Sequence, residues 1–270
     1  MKKLDMVTII AVSVIAWIVL IISHEVIGHG GAAYINGGKL AYFDSMFAKF
    51  AAPEGGFSFW QKKFNTAAGS LLNVLMMFGA VVWFIKMKKK QSWLGFGLWV
   101  FVLYTAFQSG CYIAFSQFLH TTMDWQKILI GLEPLWLWKT TELIVGIILI
   151  TFGFWFGRKY HYEFLASEQS IKVQKAKAII TPWLAASVIS TAAAFIVPIN
   201  ADTPRWLMVL GGMGNSFNFL MFMMFLSLIP SKKEKAILSE SLDRNIPIIV
   251  VGAIMVILYV VLFGQGINLI

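Results

Sequence analysis

The chain has 270 residues, 59% of them hydrophobic and only 13% charged, with a formal net charge of +9. So apolar a composition excludes an ordinary soluble domain and fits one compact polytopic membrane domain. The basic residues sit in short stretches between apolar runs. That placement excludes a nucleic-acid-binding patch and reads as topology determinants and lipid-headgroup contacts.

The chain opens on Met1-Lys2-Lys3, as a signal peptide would. The apolar run behind it is long and has no small-residue cleavage site, so a retained first helix is expected. Apolar runs predict seven spans, at about 6–30, 64–85, 92–117, 137–157, 179–199, 205–229 and 246–265. The expected fold class is therefore all-α, a polytopic membrane protein with about seven transmembrane helices. Residues 1–135 are expected to form the core that carries the site, and 136–270 to add four helices to the same membrane domain. With the N-terminus in the cytoplasm, the inside segments hold 15 of the 22 lysines and arginines. This asymmetry predicts a cytoplasmic N-terminus and an outside C-terminus. The short loops and spread of lysines suit a prokaryotic plasma membrane. The single Cys111 excludes an internal disulfide.

The first span ends on His24-Glu25-Val26-Ile27-Gly28-His29. Polar groups at the end of a membrane helix are costly and ask for a function. Neutral imidazoles bind Zn²⁺, and a neighbouring carboxylate can take a proton from an activated water. The spacing is HExxxH, one residue longer than the HExxH of zinc peptidases. In an α-helix, residues four apart lie about 40° apart in projection, but residues five apart lie about 140° apart. Three arrangements answer this. A π-bulge would add one residue to the turn. The helix could end near Gly28 and let His29 swing back over Gly30-Gly31. Alternatively Glu25 and His29, four apart, could ligate together.

The loop at 36–63 starts with the turn signal Asn36-Gly37-Gly38 and is later broken by Pro53, Gly55 and Gly56. Its apolar residues predict an amphipathic or re-entrant segment at the interface. After the third span comes Leu119-His120-Thr121-Thr122-Met123-Asp124-Trp125, which the topology puts on the same side as the end of helix 1. His24, His29 and Asp124 can supply the three protein ligands of a catalytic zinc, with Glu25 as general base. His120 is then an outer-sphere partner or alternative ligand. His161 falls on the opposite side. Within the helices, Glu142 is an intramembrane carboxylate three residues after Lys139, which reads as a local ion pair. Asn73 is a candidate for holding substrate backbone, whereas Gln108 and Ser109 suit bonds between helices.

With these residues in place, the chain resembles the site-2 protease family of intramembrane zinc metalloproteases. The resemblance covers roughly 15–80 and extends loosely to about 130. It rests on His24-Glu25 through His29-Gly30, then Gly37-Gly38-Lys39-Leu40, then Ala68-Gly69-Ser70-Leu71-Leu72-Asn73. It implies a metalloprotease core in 1–135, His24 and His29 as zinc ligands, Glu25 as catalytic base and Asn73 as a substrate-positioning amide. The chain departs from the family pattern in its longer motif and in Ser70, where the family usually has proline. It also lacks the later Asn-Pro-x-x-Pro-x-Asp-Gly type segment, for which Met123-Asp124-Trp125 is the nearest substitute. Its site is expected on the outer side, whereas many relatives cut near the cytoplasmic face.

The expected function is a zinc metalloendopeptidase acting on membrane-protein or peptide substrates within the lipid bilayer. Two alternatives remain at this point. One is a metal-dependent hydrolase of a lipid or other amide or ester. The other is a non-catalytic metal-binding membrane protein descended from a protease.

Overall fold

A computed structural model describes residues 5–44, 48–118, 124–164, 171–197 and 242–269. Six helices among them are long and apolar enough to cross a membrane: Met6–Ile35, Phe59–Lys86, Trp93–Phe118, Leu135–Tyr160, Lys177–Ile196 and Ile246–Phe263. The expected span at 205–229 and His120 lie outside the described residues.

The first rod has three parts: α1 (Met6–Ile22), a π-helix at Ser23–Gly30 and α2 (Gly31–Ile35). Asp5 caps it, accepting from the Thr8 amide at 2.9 Å. α3 (Phe59–Lys86) starts on a capping box, in which Ser58 and Gln61 satisfy each other's backbone amides. α4 (Trp93–Phe115) starts on Ser92, which accepts from the Gly95 amide. A short α5 (Asp124–Leu129) precedes α6 (Leu135–Tyr160). Next comes α7 (Ile171–Ile196), with Pro182 inside it. Last is α8 (Ile246–Leu258), capped by Asn245 and continued by a π turn at Tyr259–Phe263.

α4 is the central helix. In its most apolar stretch 78% of residues are buried, against 39% for α6 and 11% for α8. α1, α3 and α6 pack around it. Lipid tails are as apolar as leucine, so close backbone approach rather than water exclusion holds such helices together. Small residues permit that approach. A Cβ on Gly146 of α6 would lie 2.5 Å from both the Ala114 Cβ and the Gly110 carbonyl of α4. α8 runs alongside α1 in the same direction. Its Asn245 amide donates to Thr8 Oγ1, and its Gly252 abuts Ala11. Asp5 and the C-terminal residues therefore lie at opposite ends of the bundle.

The segment after α2 forms strands. β1 (Lys39–Phe43) and β2 (Ala48–Ala51) form an antiparallel hairpin. β3 (Ile267–Asn268) adds to the other edge of β1, giving the order β2-β1-β3. Among the described residues the fold is thus helical with one small sheet. Non-helical backbone near the membrane must pair its N–H and C=O groups within the protein. The partner on the second edge of β1 arrives from the far end of the chain, where Leu269 donates to the Ala41 carbonyl at 2.8 Å. No local sequence pattern announces such a pairing. Gly37, at φ +79°, makes the turn that leads from α2 into β1.

Candidate metal centre

The π-helix answers the spacing problem. Its i→i+5 hydrogen bonding brings residues five apart onto one face. The His24 and His29 rings accordingly meet edge to face, with centroids 4.8 Å apart. The helix does not end at Gly28 but continues through α2. Of the two backbone arrangements open to the sequence, the π turn is the one present, and it leaves Glu25 within the same group.

Gly69 of α3 forms the floor of the site. A Cβ there would lie 2.6 Å from His29 Nε2 and 2.8 Å from His24 Nε2. Two imidazole nitrogens thus converge on one point, and only glycine leaves that point open. The ligand atoms of His24, Glu25 and His29 all lie within 4.8 Å of one another, so this buried group can hold a metal ion.

Asp124, at the start of α5, completes the cluster. Its Oδ2 lies 3.4 Å from His29 Nε2 and 4.0 Å from His24 Nε2. Ligands about 2.0–2.1 Å from a tetrahedral zinc stand about 3.3 Å from each other. The donor set is therefore slightly open but of the right size. Burial pushes the Asp124 carboxyl toward the neutral form. The two imidazoles facing it, His29 Nε2 nearest at 3.4 Å, outweigh burial and hold it well below the usual carboxylate range. Glu25 reaches the same place from the helix side, with Oε1 4.0 Å from His24 Nε2.

The outer nitrogens of both rings are also engaged. His29 Nδ1–H donates to the Asn65 carbonyl at 2.7 Å, which orients the ring with Nε2 toward the site. His24 Nδ1 lies 3.2 Å from the Asn73 side-chain amide nitrogen, while Asn73 Oδ1 is buried with no partner. The Asn73 amide thus fixes the orientation of the His24 ring. Asn73, a candidate for substrate backbone in the sequence, thus stands directly behind His24.

Several supporting residues carried no signal in the sequence. Trp125 Nε1–H donates to Ser70 Oγ at 3.0 Å, tying α5 to α3. Tyr112 of α4 contacts Asp124 and sets its ring 6.3 Å from that of His24. Phe50 of β2 stands over His29 with ring centroids 6.3 Å apart. Beside β1, Asp44 is fully buried and accepts from the Tyr42 hydroxyl at 2.9 Å. Burial and this bond hold the Tyr42 phenol well above its ordinary value.

Other expected residues lie elsewhere. His161 caps the far end of α6, where its Nδ1 lies 2.7 Å from the Arg158 carbonyl. Glu142 is buried in α6, with Oε2 lacking a hydrogen-bond partner.

No family model, curated protein or solved structure matches this chain.

Proposed function

We propose that this chain is a zinc-dependent intramembrane endopeptidase of the site-2 protease type. The observation that carries the reading is the convergence of His24 and His29 Nε2 on the point left open by Gly69, with Asp124 Oδ2 3.4 Å from His29 Nε2. His24, His29 and Asp124 would hold the metal. Zn²⁺ would supply Lewis acidity, polarising the scissile carbonyl and acidifying an attacking water. Glu25 takes the water's proton and returns it to the leaving amine.

Depth in the membrane supports an intramembrane substrate. Phe59 and Trp60, exposed at the start of α3, and Trp136 and Trp138, exposed at the start of α6, suit an interfacial aromatic belt. Gly69 lies ten residues into α3, about 15 Å below that belt. A peptide bond at such depth needs a local compartment that admits water and excludes lipid, and the hairpin over His29 supplies a cover. A peptide substrate is favoured over a lipid because β2 is an edge strand of the sheet. An extended chain can pair with such an edge, whereas an acyl chain cannot. In this reading the N-terminus is cytoplasmic, the C-terminus is outside, and the host is a prokaryotic plasma membrane. The basis for that orientation is the lysine and arginine asymmetry.

The test is metal content and cleavage on detergent-purified protein. About one zinc per chain, lost in His24→Ala, His29→Ala and Asp124→Ala, together with cleavage of labelled transmembrane peptides that needs Glu25, supports the proposal. Cleavage of labelled lipids and not of peptides moves it to a lipid hydrolase. Zinc without hydrolysis of either moves it to a non-catalytic metal protein.

A further inference from the structure

Asp124 has an unusual task for a ligand. It is the first residue of the six-residue α5, yet it must meet two histidines fixed on a rigid membrane rod. Its side chain keeps 24% exposure, against 6% for His29. Something must select the rotamer that turns Oδ2 inward.

Tyr112 of α4 makes two bonds to this one residue. Its hydroxyl donates to Asp124 Oδ2 at 3.2 Å and accepts from the Asp124 backbone N–H at 3.1 Å. The oxygen it contacts is the same Oδ2 that faces His29 and His24. The other oxygen, Oδ1, lies 3.7 Å from Lys127 Nζ. One phenol therefore sets both the backbone position of Asp124 and the direction of its carboxylate.

The rest of α5 is held independently. Trp125 donates to Ser70, and Lys63 Nζ donates to the carbonyls of Lys127 and Ile130 at 2.6 and 2.5 Å. The Tyr112 hydroxyl is thus not needed to dock α5. Its two bonds address a single residue, Asp124.

We propose that Tyr112 is the positioning residue that presents Asp124 to the metal. This rests on the reading of Asp124 as a ligand. Partners of this kind fix the orientation and basicity of the ligand they touch, and their loss typically weakens metal binding about 10–100-fold.

The experiment measures zinc affinity by chelator competition, the visible spectrum of the cobalt-substituted protein, and thermal melting of the metal-free form. It compares wild type, Tyr112→Phe, Tyr112→Leu, Asp124→Ala and the Tyr112→Phe/Asp124→Ala double variant. The expected result is a loss of about 10–100-fold in zinc affinity for Tyr112→Phe, with a changed cobalt spectrum and near-native melting of the metal-free protein. Leucine should lose no more than phenylalanine, because the hydroxyl and not the ring carries the effect. The double variant should bind as Asp124→Ala alone does, since the phenol acts only through that carboxylate. Wild-type affinity and an unchanged cobalt spectrum in Tyr112→Phe would overturn the proposal, as would a loss confined to Tyr112→Leu. Wild-type affinity in Asp124→Ala would instead remove the ligand assignment beneath it.

Discussion

Gly28 of the π-helix and Gly69 of α3 meet backbone to backbone: a Cβ on Gly28 would lie 2.6 Å from the Gly69 Cα. This contact brings α3 close enough for its own backbone to floor the metal centre. Gly69→Ala should therefore abolish zinc binding, since its methyl would lie 2.6 Å from His29 Nε2. Gly28→Ala should act differently, prying the two helices apart and destabilising the protein by about 1–3 kcal/mol. Metal content together with thermal melting separates the two effects. Stoichiometric zinc in Gly69→Ala would show that the imidazoles do not converge there.

In the proposed mechanism Glu25 is the base and not a ligand. Glu25→Gln is expected to keep its zinc and lose cleavage by about 10²–10⁴-fold. Wild-type turnover in that variant would end its role as base. Loss of zinc would make it a ligand, consistent with its place in the His24-Glu25-His29 group.

Asn73 backs His24 as the Asn65 carbonyl backs His29. Asn73→Ala should weaken zinc binding by about 10–100-fold, because His24 then loses the partner that orients its ring. A role confined to substrate would leave zinc affinity untouched and raise KM, so titration and kinetics distinguish the two.

The pH dependence of the metal-free protein follows from Asp124. Its folded-state pKa is depressed below the usual value of about 3.9. A depressed carboxylate stabilises the fold above its unfolded-state pKa, and this contribution is lost as pH falls through the folded-state pKa. Asp124→Asn should therefore melt lower than wild type at neutral pH, by the worth of a charge-assisted hydrogen bond, about 1.5–3 kcal/mol. The gap should close only well below pH 4. Equal melting temperatures at neutral pH would mean that the histidines do not hold this carboxylate.

The C-terminal strand closes the sheet over the site side of the bundle. Tyr42 packs on Gly266, and Phe43 on Phe263 at 5.1 Å between ring centroids. Removing residues 265–270 should leave the helical content unchanged while speeding amide exchange in β1. Unchanged exchange at Ala41 and Phe43 would show that β3 does not hold the hairpin.

Much of the helical architecture is legible locally, because twenty apolar residues in a row have few alternatives in a bilayer. Six expected spans coincide with helices among the described residues. The His24-Glu25-His29 group was likewise readable, since polar residues at the end of an apolar run stand out. The hairpin was not. A bulge between Leu40 and Tyr42 breaks the alternation of β1 against β2, and β3 arrives from more than 220 residues away, so no local period marks the sheet. Tyr112 was invisible for a similar reason: within a helix rich in aromatic residues, nothing marks one phenol as facing an aspartate twelve residues on.

The amino-acid sequence by itself determined a membrane-embedded helical chain and the residue types of a candidate metal site. Composition and hydropathy set the first, and the chemistry of imidazole and carboxylate set the second. Only the tertiary structure decided that His24 and His29 share a face. In isolation an α-helix would hold them about 140° apart. The extra residue of the π turn, seated against Gly69, brings them together. Likewise, only packing decided that Asp124 reaches them, because α5 is docked by Ser70 and Lys63 of a different helix.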